Sequence, residues 1–426
     1  MAKRLVRRAI SAALKLEFMT AAQKAPDAAQ PVPPKAEGRS PFVRLHELLA
    51  DIKPGKPAIN LSVGEPQHPI PPFVGPVLQA HLADFGRYPA NKGTEGFRKA
   101  AAAWLGRRYN LPRRVDPETE VIVLNGTREG LFLAPFNVTP EMKGGQRPVI
   151  LLPNPFYQCY AAAALSCGAE PVFVRADAST GFLPDFASLP KAILERTVAV
   201  YLCSPSNPEG ACASQAYWRT LFALADQFDF TVFADECYAD IYIETPPVGA
   251  LSVRGAPYER LLSFHSLSKR SGLPGLRSGM VAGDAGLMAK FRALRNYAGP
   301  QVPLPIIAAS TAAWSDEAHV RANRALYIER FRLAQRLLGN RTGFRVPEGG
   351  FFLWLEVGDG EQAALELWRK GGVRVLPGAY MGREIEPGKS RTNPGFLYIR
   401  VALVNDLSTI MKAFERMSEI LDGRPS

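Results

Sequence analysis

The feature that most limits what this chain can fold into is a series of short apolar runs separated by helix-like stretches. "VIVLNG" (121–126), "RPVILLPNP" (147–155), "EPVFVRAD" (170–177), "RTVAVYLCSPSNP" (196–208), "FTVFADE" (230–236), "RLLSFHSLSK" (260–269) and "SGMVAGD" (278–284) are each of strand length. They are apolar nearly throughout rather than alternating, the pattern of strands buried on both faces. Segments such as "EGLFLAPFNV" and "QAYWRTLFALADQF" between them read as helices, which argues for a mainly parallel, doubly covered sheet. Beyond residue 300 the character changes. A basic helical stretch (315–339) precedes strand-like "GGFFLWLEV" and "GFLYIRVALV". The expected architecture is therefore α/β: a large domain with a mainly parallel sheet covered by helices over 76–300, and a smaller α+β domain over 301–426, joined by 40–75. No internal repeat is visible.

Composition removes several alternatives. At 426 residues, 47% hydrophobic and 21% charged, the chain has the make-up of a soluble globular protein. No apolar run approaches the roughly 20 residues that span a bilayer. Five cysteines without a C-x-x-C pair point to reduced thiols in a cytoplasmic setting, and five scattered histidines give no metal-ligand spacing. Much of the +11 charge lies in "MAKRLVRRAISAALKLEF", followed by an Ala/Pro-rich stretch. Residues 1–39 read as a flexible extension. An amphipathic surface helix, a transit-like peptide and a dispensable tail upstream of Met19 are the competing readings, the tail being preferred. No nucleic-acid-binding signature accompanies the charge, and neither nucleic acid nor membrane is expected as a partner.

In an open parallel sheet, ligands bind beyond the carboxyl ends of the strands. The residues that follow the apolar runs are chemically rich. Gly126, Thr127 and Arg128 follow the first run and open a helix, where free N–H groups favour an anion. Phe156 and Tyr157 follow the second, Asn207 the fourth, Asp235 and Tyr238 the fifth, and Ser266 and Lys269 the sixth. Singly, each has an ordinary explanation as a turn residue, a core aromatic or a surface charge. Delivered together to one rim, they describe a site. Arg400 adds a charge that interrupts the apolar run "LYIRVAL"; a buried arginine needs a partner.

The ordered set "SVGEP", "RYPANKGTEGFR", "NGTREG", "NPFYQCY", "SPSNPEG", "ADECYADI", "SLSKRSGLPGLRSG", "EGGFFLWLEV" and "LYIRVAL" resembles the fold-type I, class I/II aminotransferases that use pyridoxal 5′-phosphate. The resemblance covers the chain from about residue 40 onward. It implies that Lys269 condenses with the cofactor aldehyde and then shuttles a proton. Asp235 would pair with the pyridine nitrogen, Tyr238 and Asn207 would address the cofactor O3′, and Tyr157 would stack on the ring, with the Phe156-Tyr157 register open by one. Ser266 and Arg277, three before and eight after Lys269, match the family's spacing for a hydroxyl and a guanidinium on the phosphate, beside Gly126, Thr127 and Arg128. Arg400 would hold the substrate α-carboxylate near Gly64. Tyr88 resembles the tyrosine that reaches the phosphate of a neighbouring subunit, implying a homodimer.

Within the family, "SFHSLSKRSGLPGLRSGMVAGD" looks most like bacterial N-succinyldiaminopimelate aminotransferases, which transfer an amino group between glutamate and an N-succinyl 2-amino-6-oxopimelate in lysine biosynthesis. Gly272 departs from the asparagine of that group. No residue stands out as the partner of the succinyl carboxylate; Lys92 and Arg270 are guesses. The rival readings are another class I/II aminotransferase of aspartate, aromatic or kynurenine type, a C–S lyase on the same fold, and a non-catalytic sensor. The short, Pro-rich N-terminus argues against the sensor.

Overall fold

All seven apolar runs become strands of one sheet. A computed structural model describes residues 39–299, 301–341 and 343–423. The extension expected over 1–39 therefore lies, apart from Arg39, outside the described residues. In chain order the strands are β1 (Ile59–Asn60), β2 (Val121–Leu124), β3 (Val149–Asn154), β4 (Glu170–Arg175), β5 (Thr197–Cys203), β6 (Thr231–Asp235), β7 (Leu261–Ser266), β8 (Gly279–Gly283), β9 (Phe352–Glu356), β10 (Val373–Arg374), β11 (Leu376–Pro377) and β12 (Tyr398–Ala402).

The large sheet has the order β2-β8-β7-β6-β5-β3-β4. Neighbours from β7 through to β4 are parallel. β8 alone runs against both of its neighbours. Its reversal suits the connection: a parallel crossover usually carries a helix long enough to recross the sheet. Here residues 267–278 hold only the four-residue helix Leu267–Arg270 and a tight turn.

Consecutive strand residues feed opposite faces of the sheet. Val123, Leu151, Val200 and Val232 pack into one apolar cluster, while Ile122, Leu152, Tyr201 and Phe233 pack into another. This two-sided burial is why the runs carry no polar alternation. The helix Gln215–Phe228 shows how the covering layer is set. Ser214 caps its start by accepting from Tyr217 N at 3.1 Å, and Trp218, Leu221, Phe222 and Ala225 form its buried stripe.

The antiparallel set β11-β12-β9 and the parallel pair β1-β10 share a third core with Ile59, Leu353, Ile399 and Phe414. The helices Ala318–Leu338, Gly360–Gly371 and Leu407–Asp422 contribute to it. Among the described residues no helix is long and apolar enough to cross a membrane.

Register brings the chemistry to one end. Leu124 lies opposite Gly279, Gly279 opposite Ser266, Phe264 opposite Asp235, and Asp235 opposite Cys203. The last residues of β2, β5, β6 and β7 thus form one continuous rim. Leu262, in the middle of β7 and 1% exposed, tests the packing beneath it. Leu262→Ala is expected to cost about 2–5 kcal/mol, read as a lowered midpoint of urea unfolding.

Candidate active site

At this rim lies a cavity of about 360 Å³. Its wall includes Gly64, Thr127, Arg128, Tyr157, Asn207, Asp235, Tyr238, Ser266, Lys269, Arg277 and Arg400. Two of the residues to which the resemblance gives a phosphate role are not part of the wall. Gly126 sits directly behind the Arg277 guanidinium, and Tyr88 projects from the chain with 97% of its surface exposed.

Lys269 belongs to the short helix Leu267–Arg270, whose N-cap Ser266 accepts from Ser268 N. Asn323 holds the other end, donating its amide to the carbonyls of Lys269 and Arg270, both at 3.0 Å. The Lys269 Nζ donates to the Gly64 carbonyl at 2.7 Å and lies 5.3 Å from the centre of the Phe351 ring. Burial lowers its pKa to about 8, and Arg400 and Arg277 push the same way. At pH 7.5 about a quarter of such amines are neutral, against about one in a thousand for an ordinary lysine. Gly272 ends this segment with φ +62°, and a Cβ there would meet nothing closer than Asn323 Oδ1 at 3.9 Å. The position asks for a left-handed residue, a need that glycine and asparagine both meet. Gly272 is not part of the cavity wall.

At one end of the cavity stands a buried acid. Asp235 Oδ2 accepts from the Tyr160 hydroxyl at 2.6 Å, and Oδ1 accepts from Cys237 N at 3.2 Å. Burial raises its pKa, the hydrogen bonds opposing the rise. No cation pairs with it among the described residues. Tyr160, stacked on Tyr201 at 4.3 Å, was not picked out of the sequence, nor was Cys237, whose thiol is 3.0 Å from Thr127 Oγ1. Both lie inside the quoted motifs. The usable signal for Tyr160 was its place one helical turn after Tyr157, on the face that looks at the rim. The adjacent Glu236 turns away, accepting from Tyr109, Ser263 and the amide of Ala250 in the interior.

Arg400 lies on the central strand β12, opposite Trp354 and Leu376. Its Nη1 donates to Asn207 Oδ1 at 3.1 Å and its Nη2 to the Ser62 carbonyl at 2.8 Å. Its Nε has no partner. Burial lowers its pKa to about 10, and no carboxylate pairs with it among the described residues. A ligand carboxylate entering the cavity would meet a guanidinium that has no protein counter-ion among the described residues.

A further group of donors gathers at Arg277. This residue has φ +51° and donates Nη1 to the Pro274 carbonyl at 3.0 Å. Gly126 has φ +72°, and a Cβ there would sit 2.1 Å from Arg277 Nη2; glycine is required on both counts. Thr127 begins the helix Thr127–Leu133 beside them. The Arg128 side chain turns elsewhere, its Nε donating to the Tyr157 hydroxyl. Of the adjacent pair, Tyr157 lines the cavity, whereas Phe156 is a core residue, 4.8 Å from the Phe173 ring.

Pyridoxal 5′-phosphate fits this donor set. Asp235 is a buried acid lacking a cation, as a protonated ring nitrogen would require. The Arg277 guanidinium packed against the Gly126–Thr127 turn gathers donors for an anion, and Lys269 offers a partly neutral amine. Among the described residues no group of His, Cys, Asp and Glu is arranged to hold a metal ion. Lys92 and Arg270 are occupied elsewhere. Lys92 Nζ bonds to Glu118 at 2.7 Å. Arg270 pairs with Asp240 and Glu317 between Trp104 and Trp314.

Known proteins of the same organisation agree. The family model for aminotransferase class I and II matches residues 56–405. The chain is 34% identical to the 4-dedimethylamino-4-oxo-anhydrotetracycline transaminase of Streptomyces rimosus, over 84% of this chain and 93% of that protein. It is 30% identical to an LL-diaminopimelate aminotransferase of Desulforudis audaxviator, over 88% and 94%. A crystal structure of an aminotransferase from Neisseria meningitidis superposes with a TM-score of 0.85 at 40% identity, covering 90% of this chain and 98% of that one.

Two outcomes follow from the geometry. Gly126→Ala is expected to weaken pyridoxal phosphate retention at least tenfold, measured by dialysis and absorbance. Covalent uptake of pyridoxal phosphate by the cofactor-free protein, trapped with borohydride, is expected to quicken as pH rises, to reach half of its maximum near pH 8 and to level off about one unit above. The neutral amine is the reactive form, so the rate falls as Lys269 protonates below its pKa of about 8. A rate still climbing steeply above pH 9 would mean that Lys269 behaves as an ordinary lysine.

Proposed function

We propose, on the premise that this chain belongs to the class I and II aminotransferases and is a pyridoxal-phosphate-dependent transaminase, that it exchanges an amino group between glutamate and an N-succinyl 2-amino-6-oxopimelate. The observation that carries an amino-acid substrate is Arg400. It is a buried guanidinium with no protein carboxylate and an unpartnered Nε, in the same cavity as Lys269. The pimelate assignment is supported by the resemblance of residues 263–284 and by the diaminopimelate-acting relative. Gly272 does not weaken it, because the backbone conformation there suits glycine and asparagine alike.

Bound in this cavity, the cofactor supplies an aldehyde that takes up the amino group and a ring that draws electrons from the substrate Cα. The chain's own residues do the rest. Arg400 grips the α-carboxylate bidentately, beside the Gly64 backbone, and fixes the Cα against Lys269. Lys269 Nζ, partly neutral at working pH, would take the proton from the substrate Cα and hold it for return to the cofactor side. Asp235, held by Tyr160 and the Cys237 amide, would keep the ring nitrogen protonated. Tyr238 and Asn207 would offer donors to the ring oxygen, and Tyr157 would supply an aromatic face. Ser266, Arg277, Thr127 and the amides of Gly126 and Arg128 would hold the phosphate. Tyr88 reaches the site of a second copy, as its 97% exposure allows, and the working form is a homodimer.

A second reading keeps every role above and changes only the amino acid; the identity to the tetracycline-pathway transaminase favours it. A half-reaction separates the two. Protein loaded with pyridoxal phosphate is mixed with N-succinyl-LL-diaminopimelate, and the fall of the aldehyde-form absorbance is followed. Conversion that is saturable and faster than with aspartate or aromatic amino acids is the expected outcome. Conversion by other donors alone would discard the pimelate substrate and keep the transaminase. Lys269→Ala is expected to abolish borohydride-reducible attachment of the cofactor, and Arg400→Met to lower kcat/KM for amino acids by about 100-fold with cofactor retention unchanged.

A further inference from the structure

The two cations that the proposed function turns on the substrate are both met by one short stretch of backbone. Arg400 Nη2 donates to the Ser62 carbonyl at 2.8 Å, and Lys269 Nζ donates to the Gly64 carbonyl at 2.7 Å. Val63, Gly64 and Glu65 line the cavity. At its near end the segment 61–68 is fixed by the main chain: Leu61 N donates to the Arg374 carbonyl at 2.8 Å, and the Leu61 carbonyl accepts from Ala402 N at 2.7 Å. A Cβ on Gly64 would come within 2.5 Å of the Phe352 ring, so glycine lets the backbone pass this close.

At the far end a side chain does this work. His68 Nδ1 lies 3.4 Å from Arg330 Nη2, and its ring meets the edge of Tyr327 at 5.0 Å between centres. A guanidinium can only donate, so Nδ1 accepts and the neutral ring carries its proton on Nε2. Burial and the facing guanidinium lower the His68 pKa to about 4, which keeps this anchor neutral at working pH. Arg330 is itself fixed, donating Nε to the Asn405 carbonyl at 2.7 Å and Nη1 to the Leu326 carbonyl at 2.6 Å. Tyr327 and Arg330 belong to the helix Ala318–Leu338. The same helix carries Asn323, which ties the Lys269 carbonyl. One rigid element thus holds the main chain of the lysine and, through His68, the segment that meets its amine.

We propose that His68 is a positioning residue for the reaction, holding the segment 61–68 so that the Gly64 carbonyl stays within reach of Lys269 Nζ. This rests on the reading of Lys269 as the reactive amine. Once Lys269 has taken the proton from the substrate Cα it is an ammonium, and the Gly64 carbonyl is its acceptor. A hydrogen bond to the charged form favours that form. Burial opposes the ammonium most strongly; Cys237 and Glu65 favour it, and Arg400 and Arg277 oppose it. Glu65 lies on the same segment as the carbonyl. Without its anchor the segment loses its fixed place, both of its contributions weaken, and Lys269 becomes a poorer base.

The test reads the amine without turnover. Full-length protein freed of cofactor takes up pyridoxal phosphate, the product is trapped with borohydride, and the pH of half-maximal rate is compared among variants. The wild-type midpoint is expected near 8. His68→Phe keeps a ring against Tyr327 but lacks the acceptor, and its midpoint is expected to fall by about half a unit or more. His68→Asn, whose Oδ1 can stand in for Nδ1, is expected to keep the wild-type value. An unchanged midpoint in His68→Phe would overturn the proposal. So would equal shifts in both variants, which would assign the effect to ring packing. Should His68→Phe not fold, His68→Ala against His68→Asn makes the same comparison. A wild-type protein without a midpoint near 8 would sink the reading of Lys269 and the proposal with it, an outcome seen before any variant is measured.

Discussion

The organisation of the site depends on one electrostatic arrangement: charges of both signs are held in a largely enclosed space and kept from neutralising one another. A lysine or arginine and an aspartate brought into contact in such a cavity would pair and stay paired. Here Asp235 is fixed by neutral donors, the Tyr160 hydroxyl and the Cys237 amide. Arg400 is fixed by neutral acceptors, the Asn207 side chain and the Ser62 carbonyl. Each ion is oriented while its charge remains unmatched. The cost of desolvation falls on the protein in advance, and a ligand of complementary charge recovers it on binding. The lowered pKa of Lys269 has the same origin, since burial beside unneutralised cations favours the neutral amine.

The parallel sheet makes this separation possible. Strands that end in register present successive residues a few ångströms apart without letting their side chains collapse together. Asp235 ends β6 and Ser266 ends β7, and the β7 chain continues directly into the Lys269 helix. Arg400 comes from a different sheet, on a strand whose neighbours are apolar. The cation and the acid are therefore carried by separate rigid elements with separate cores, and their spacing is set by packing rather than by attraction.

Much of this was legible in the chain. The seven apolar runs marked the sheet because strands buried on both faces have no room for polar alternation. The rim residues could be read because a parallel sheet places its ligands where its strands stop. Arg400 stood out because a charge in an apolar run is costly. What escaped notice were residues whose importance lies in contacts distant in sequence. Tyr160 looks like any helical tyrosine until its hydroxyl is found on Asp235, 75 positions away. Asn323, in a long basic helix, gives no sign that it ties down the carbonyls of Lys269 and Arg270. The antiparallel direction of β8 was not read either: the apolar run itself reads the same in both directions, and the sign of reversal lay only in the short connection over 267–278.

The reversed strand has a consequence for how the chain comes together. β2 lies at the edge of the large sheet with β8 as its one strand neighbour, and the two pair only after some 155 intervening residues have been made. During synthesis the other parallel strands can begin to assemble while β2, fully buried in the finished protein, has nowhere to dock. Joining it requires closure of a very long loop, a slow event. Its arrival also brings Gly126 and Thr127 to Ser266 and Arg277. The phosphate cradle is therefore among the last parts of the sheet to form, and a nascent chain that stops short of residue 279 would carry an orphaned hydrophobic edge, open to association with other chains.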